Sequence, residues 1–196
     1  MKYESIMVSR KTGEESFTSN GDNLDITMSD YWSWSHSDLV INIERGKLAE
    51  FIVATALGIT NHISAAWDSF DLSFMGRGVE VKSSSYLQSW YQKKESSIGF
   101  GIQPTHAWNA ETGEYFTEHK RQADVYVFCL LKHKDKSTLN PLDLDQWDFY
   151  VSPTTLLNEL VPTQKTISLS FFRKNNISPI GYDGIHPQVE QILNNL

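Results

Sequence analysis

Between Asn42 and Leu57, apolar residues recur at three- and four-residue spacings: Leu48, Ala49, Ile52, Val53, Ala56 and Leu57. That period predicts a helix, and Gly58 is its expected stop, because glycine readily takes the left-handed conformation that closes a helix. Beyond it the period shortens to alternation. Phe70, Leu72 and Phe74 alternate with Ser69, Asp71 and Ser73, and Val79 and Val81 alternate with Glu80 and Lys82. Two strands are predicted, joined by a four-residue hairpin turn at Met75-Gly76-Arg77-Gly78.

Further along, Ile98 to Gln103 and Asp124 to Leu131 read as strands. The second is almost continuously apolar, which predicts a central position with both faces covered. Gln146 to Val151 is another strand, Ser152-Pro153 starts a helix over Thr154 to Leu160, and Pro187 to Leu196 reads as a closing helix. Residues 1–37 form an N-terminal extension, with a turn at Ser19-Asn20-Gly21-Asp22-Asn23 and an aromatic lead-in, Tyr31-Trp32-Ser33-Trp34, before the first long helix. This extension is expected to cap the core or form a dimer contact. The element order predicts an α/β domain over 1–196, a mixed β-sheet flanked by α-helices, with the motif-bearing core at 42–131.

Composition narrows the class. With 196 residues, 40% hydrophobic and 12% aromatic, the chain can bury a sizeable core. Tryptophans 32, 34, 67, 90, 108 and 147 read as core and strand-edge packing. No apolar run reaches the roughly 20 residues of a membrane span, and the start Met1-Lys2-Tyr3-Glu4-Ser5 lacks a signal peptide's apolar stretch. A lone Cys129 in an apolar strand cannot form an internal disulfide, which points to a reducing, cytoplasmic setting. The six histidines have no paired spacing and one cysteine cannot build a zinc ribbon. Neither a phosphate-cradling glycine loop nor a Gly-x-Ser-x-Gly elbow is present.

The chemistry concentrates on the predicted hairpin. With Phe74 opposite Val79, Ser73 faces Glu80 and Asp71 faces Lys82, so Asp71, Glu80 and Lys82 share one polar face. Carboxylates of this kind suit a hard divalent cation, and a nearby lysine can hold or help deprotonate an attacking water. On the helix, Glu50 falls about 20° from Leu57 at ~100° per residue, bordering the apolar stripe. An acid there is costly unless paired or on a metal; the bland reading pairs it with Lys47. Arg45 also lies on the apolar side, where it can balance charge or touch a phosphate.

Glu50 on a helix, Asp71 at a strand end, Glu80-x-Lys82 on the next strand and Gln88 beyond it, with Tyr91 nearby, together resemble the PD-(D/E)XK, or restriction-endonuclease-like, nuclease superfamily over roughly residues 42–103. The resemblance implies that fold and a Mg²⁺- or Mn²⁺-dependent nuclease that hydrolyses DNA by in-line attack of water. It implies Asp71, Glu80 and the Val81 carbonyl as metal ligands, Lys82 as catalytic base or water-positioning residue, Glu50 as the helical acid, and Gln88 as the glutamine of the exonuclease and resolvase branches. Phe70 stands where the name-giving pattern has proline, and Asp68 competes with Asp71. A non-catalytic binding module on the same fold is the alternative. DNA is the expected partner, with RNA left open, and a homodimer is expected because cutting both strands commonly takes two sites. The net charge of −7 opposes a strong basic footprint. Lys93-Lys94, Lys120-Arg121, Lys132 to Lys136 and Arg173-Lys174 offer local cationic loops against it.

Overall fold

The computed structural model describes residues 6–61, 63–64, 69–109 and 113–196. From the N-terminus, strands β1 (Ser16–Ser19) and β2 (Asp22–Thr27) form a hairpin, followed by helices α1 (Met28–Ser35) and α2 (Asn42–Ala56). Strands β3 (Leu72–Phe74), β4 (Arg77–Ser85), β5 (Phe100–Gly101), β6 (Thr105–Asn109), β7 (Glu114–Lys120), β8 (Val125–Leu131) and β9 (Trp147–Pro153) come next. The described chain closes with α3 (Thr154–Leu160), β10 (Thr166–Ile167), α4 (Leu169–Lys174) and α5 (Ile185–Asn194).

The main sheet runs β3-β4-β8-β9. Strand β4 pairs in parallel with β8, from Val79 opposite Val125 to Ser85 opposite Leu131, while the β3–β4 and β8–β9 pairs are antiparallel. The protein is therefore mixed α/β. Every residue of β8 is buried, because both sheet faces are covered. Val125, Val127, Cys129 and Leu131 pack in the layer of α2 and α5, where Ala49, Ile52, Val53, Val189 and Leu193 lie. Tyr126, Phe128 and Leu130 meet Leu157 of α3, Phe171 and Phe172 of α4, and Phe100 and Ile102. Burying each such side chain contributes about 1.5–3 kcal/mol, which outweighs the modest propensities of the short elements around it. Among the described residues no helix is long and apolar enough to cross a membrane.

Helix α2 ends as its sequence predicts. Gly58 has φ +71°, its N–H donates to the Thr55 carbonyl, and the Ile59 N–H donates to that of Ala54. This is the Schellman closure, which satisfies two orphan carbonyls. The hairpin differs from expectation: its turn is two residues, Met75 at φ 53° and Gly76 at φ 72°, not four. Two left-handed residues give the turn whose twist matches the flanking strands. The register becomes Leu72 opposite Val79, a shift of two residues, and such a shift keeps every side chain on its face. Continued one residue beyond β3, it sets Asp71 level with Glu80 rather than Lys82.

Other expectations are corrected. The strand predicted over Ile98 to Gln103 is only Phe100–Gly101, and the last helix starts at Ile185, before Pro187. Helix α1 buries no residue, β1 and β2 are exposed almost throughout, and the two cores draw on no residue before Leu48, so the N-terminal extension does not cap the core. Of the described tryptophans only Trp147 joins the core; Trp34 is 85% exposed and Trp90 51%. Trp67 lies outside the described residues.

Candidate active site

Strand β3 pairs with β4 only from Arg77 to Val79, so from Glu80 onward the edge of β4 away from β8 has no strand partner among the described residues. Asp71 occupies the start of that gap, and its Oδ2 accepts the Val81 N–H at 2.7 Å. Val79 and Val81 are committed to the α2 core, which turns Glu80 and Lys82 to the other face, beside their register partners Tyr126 and Phe128. There Lys82 Nζ donates to Glu80 Oε1. With side chains 32% and 18% exposed, Lys82 and Glu80 are too enclosed to be a solvated surface pair.

These groups shift one another's titration. Burial pushes the Glu80 carboxyl pKa up, the charge of Asp71 adds to this, and Lys82 only partly offsets them. For Lys82, burial pulls the pKa down, but the carboxylates of Glu80, Asp71 and Glu50 outweigh it and raise the value above that of an ordinary lysine. Lys82 is thus a cation at neutral pH. The Tyr126 hydroxyl is pushed up by burial and then by the Glu80 charge.

Glu50 is close enough for its charge to act on both Glu80 and Lys82, as its helical position beside the apolar stripe implied. Its Oε2 also accepts from Lys47 Nζ at 2.6 Å and from Ser64 Oγ at 3.3 Å, so the Lys47 pairing is present as well. Gln88 is buried, and its side chain reaches Arg45 Nη1, at a long 3.5 Å, and not the Asp71–Glu80–Lys82 group. Arg45 is itself buried. It donates to the Val40 carbonyl and to Asn42 Oδ1, both at 2.7 Å, and burial pushes its pKa down to about 10. Tyr91 is 83% exposed. Asp68 lies outside the described residues.

A cleft of about 520 Å³ opens over Glu80 and Lys82, and its other wall carries Gln103, Gln122 and Lys165. No periodic signal marks these three in the sequence; they meet only because β5 and β10 pair across 65 residues, Gly101 opposite Thr166. Two of the four predicted cationic loops are partly spent on acids: Lys120 on Glu118, Lys132 on Asp148, and Lys134 on Glu95. Arg121 is buried among neutral acceptors. Among the described residues, no three His, Cys, Asp or Glu side chains gather around one point as a metal cage.

By family the chain is a nuclease. The family described as bacteriophage T4 endonuclease IV matches residues 2–170, a span that takes in Glu50, Asp71, Glu80, Lys82, Gln88 and Lys165, and the chain belongs to that family. No curated protein and no solved structure matches it.

Proposed function

We propose that this nuclease is a Mg²⁺- or Mn²⁺-dependent endonuclease that hydrolyses phosphodiester bonds in DNA, built on a restriction-endonuclease-like mixed sheet. One observation carries the reading: Asp71, Glu80 and Lys82 converge on β4, and Glu80 and Lys82 line a cleft. The donor set suits a hard cation. Mg²⁺ takes one or two carboxylates and keeps its waters and substrate oxygens, so Asp71 and Glu80 suffice without a third acid. The raised Glu80 pKa comes first from burial and then from the neighbouring Asp71 charge, which Lys82 only partly offsets. The Val81 carbonyl, on the strand edge where its N–H meets Asp71, completes the set, with Glu50 as an outer acid.

When bound, the cation supplies charge neutralisation at the scissile phosphate and a lowered pKa for the attacking water. The chain's own residues do the rest. Asp71 holds the open edge in shape through the Val81 N–H, and Glu80 fixes Lys82 over the cleft. As a cation, Lys82 donates hydrogen bonds to the water and to the charge developing on the phosphate oxygens, rather than taking a proton at the outset. Gln88 and Arg45 brace the end of the same strand against α2. The test is incubation of the purified protein with plasmid and linear DNA in Mg²⁺, Mn²⁺ or EDTA. Cleavage that needs the divalent ion is expected. A protein that cuts neither DNA nor RNA under any of these conditions is instead a binding module on the same fold.

A further inference from the structure

Three segments distant in sequence form the cleft wall facing Glu80 and Lys82, and one buried side chain ties them together. Arg121 donates from Nε to the Ile102 carbonyl at 2.7 Å, from Nη1 to Asn158 Oδ1 at 2.7 Å, and from Nη2 to the carbonyls of Val161 at 2.8 Å and Gln164 at 3.4 Å. All four acceptors are neutral. A buried guanidinium without a carboxylate is costly, and here its hydrogen bonds fix backbone rather than balance charge. Three polar residues on the wall are chain neighbours of this network: Gln103 follows Ile102, Gln122 follows Arg121, and Lys165 follows Gln164. The Ile102 N–H donates to the Lys165 carbonyl at 2.9 Å, which locks two of the segments directly.

The side chains on this wall remain available. Lys165 is exposed and joins no ion pair among the described residues, whereas Lys47, Lys82, Lys120, Lys132 and Lys134 each hold an acid. Gln122 spends its amide N–H groups on the carbonyls of Thr105 at 2.7 Å and Lys120 at 3.2 Å, which turns its own oxygen into the free acceptor. The cleft therefore has Glu80 with Lys82 on one side, and the Lys165 ammonium with two amides on the other.

We propose that this wall is the substrate-strand site: Lys165 grips a backbone phosphate neighbouring the one cut over Glu80 and Lys82, Gln103 and Gln122 contact sugar or base groups beside it, and Arg121 is the positioning residue that sets all three. The inference rests on the nuclease-site reading of Glu80 and Lys82. Of the two cations lining the cleft, Lys82 is held by Glu80 and Lys165 pairs with no acid among the described residues, so Lys165 decides which way a polyanion lies there.

The experiment measures anisotropy of a short labelled DNA strand in EDTA over a range of KCl, alongside KM and single-turnover rate in Mg²⁺. Lys165→Ala is expected to weaken binding, to raise KM while leaving the saturated single-turnover rate near that of the wild type, and to reduce the slope of log Kd against log[salt] by about 0.7–0.9, one phosphate contact. Lys174→Ala, on a surface outside this cleft, should leave the slope unchanged. Arg121→Lys keeps the charge but loses the fork; it should weaken binding alone and add little on top of Lys165→Ala, a coupling that general destabilisation would not produce. If the wild type binds and cuts DNA while Lys165→Ala matches it in Kd, KM and slope, the wall assignment is overturned and the nuclease site stands. Fully additive effects of the two substitutions overturn the positioning role of Arg121. A wild type that neither binds nor cuts brings down both readings.

Discussion

Glu80 and Lys82 are each shaped by the other's charge, and both titrations run in the same sense, over different pH ranges. The folded-state pKa of Glu80 lies above its unfolded value, so the native state binds this proton more tightly, and the stability due to Glu80 falls as pH rises through the carboxylate range. Lys82 has a raised pKa as well. For a base this contributes stability that is fully present below the unfolded lysine value and is lost only as pH climbs through the folded one. Lys82→Ala should therefore lower stability in EDTA by about 1 kcal/mol near neutral pH, since it leaves Asp71 and Glu80 facing each other uncompensated. The loss should shrink in acid, where Glu80 is protonated; melting curves at both pH values check this. The same variant should lose cleavage by on the order of 10²-fold or more while still binding DNA. Asp71→Asn and Glu80→Gln should each abolish Mn²⁺ binding by calorimetric titration while the circular dichroism spectrum stays native. A residue whose variant binds Mn²⁺ at wild-type strength is not a ligand.

At the scale of elements, the site depends on how the β3–β4 hairpin closes. Phe70 lies against Gly78 so closely that an added Cβ would come within 2.7 Å of its ring. That contact fixes the chain immediately before Asp71. Gly78→Ala should displace the ring, costing about 1–3 kcal/mol as overpacking does, and should loosen Asp71 from the Val81 N–H. The expected result is a lower melting temperature together with weakened Mn²⁺ binding; a variant with both unchanged would mean that Phe70 does not set Asp71. Helix α2 and strand β8 were legible because their patterns are long and dense, and packing reinforces them. The β6–β7 hairpin was not, because it is exposed along most of its length and carries no buried face for a hydrophobic period to mark. Helix α4 and strand β10 are too short for any period to register.

For the whole molecule, the unexplained surface is N-terminal. Phe17, Leu24, Ile26, Tyr31, Trp32 and Trp34 of the hairpin and α1 are all exposed large apolar side chains. An apolar surface of this kind on a folded chain favours association, so a symmetric homodimer is expected. Light scattering should give about twice the 22.4 kDa chain mass at micromolar concentration, and Trp34→Ser with Phe17→Ser should return it to the monomer. A monomeric wild type would rule out this contact and favour action on one strand at a time.

The sequence by itself determined the long helix and its glycine stop, the buried central strand, and the polar face on which Asp71, Glu80 and Lys82 lie. All three follow from local periods, and the shared face survived a wrong turn length because a two-residue shift does not flip a strand. Only the tertiary structure decided that Gln88 meets Arg45. It also decided that Lys132 and Lys134 are held by acids distant in sequence, and that Gln103, Gln122 and Lys165 share a cleft with Glu80 and Lys82. Those outcomes depend on which segments the sheet and Arg121 bring together across long stretches of chain, and a residue's neighbours in sequence carry no record of them.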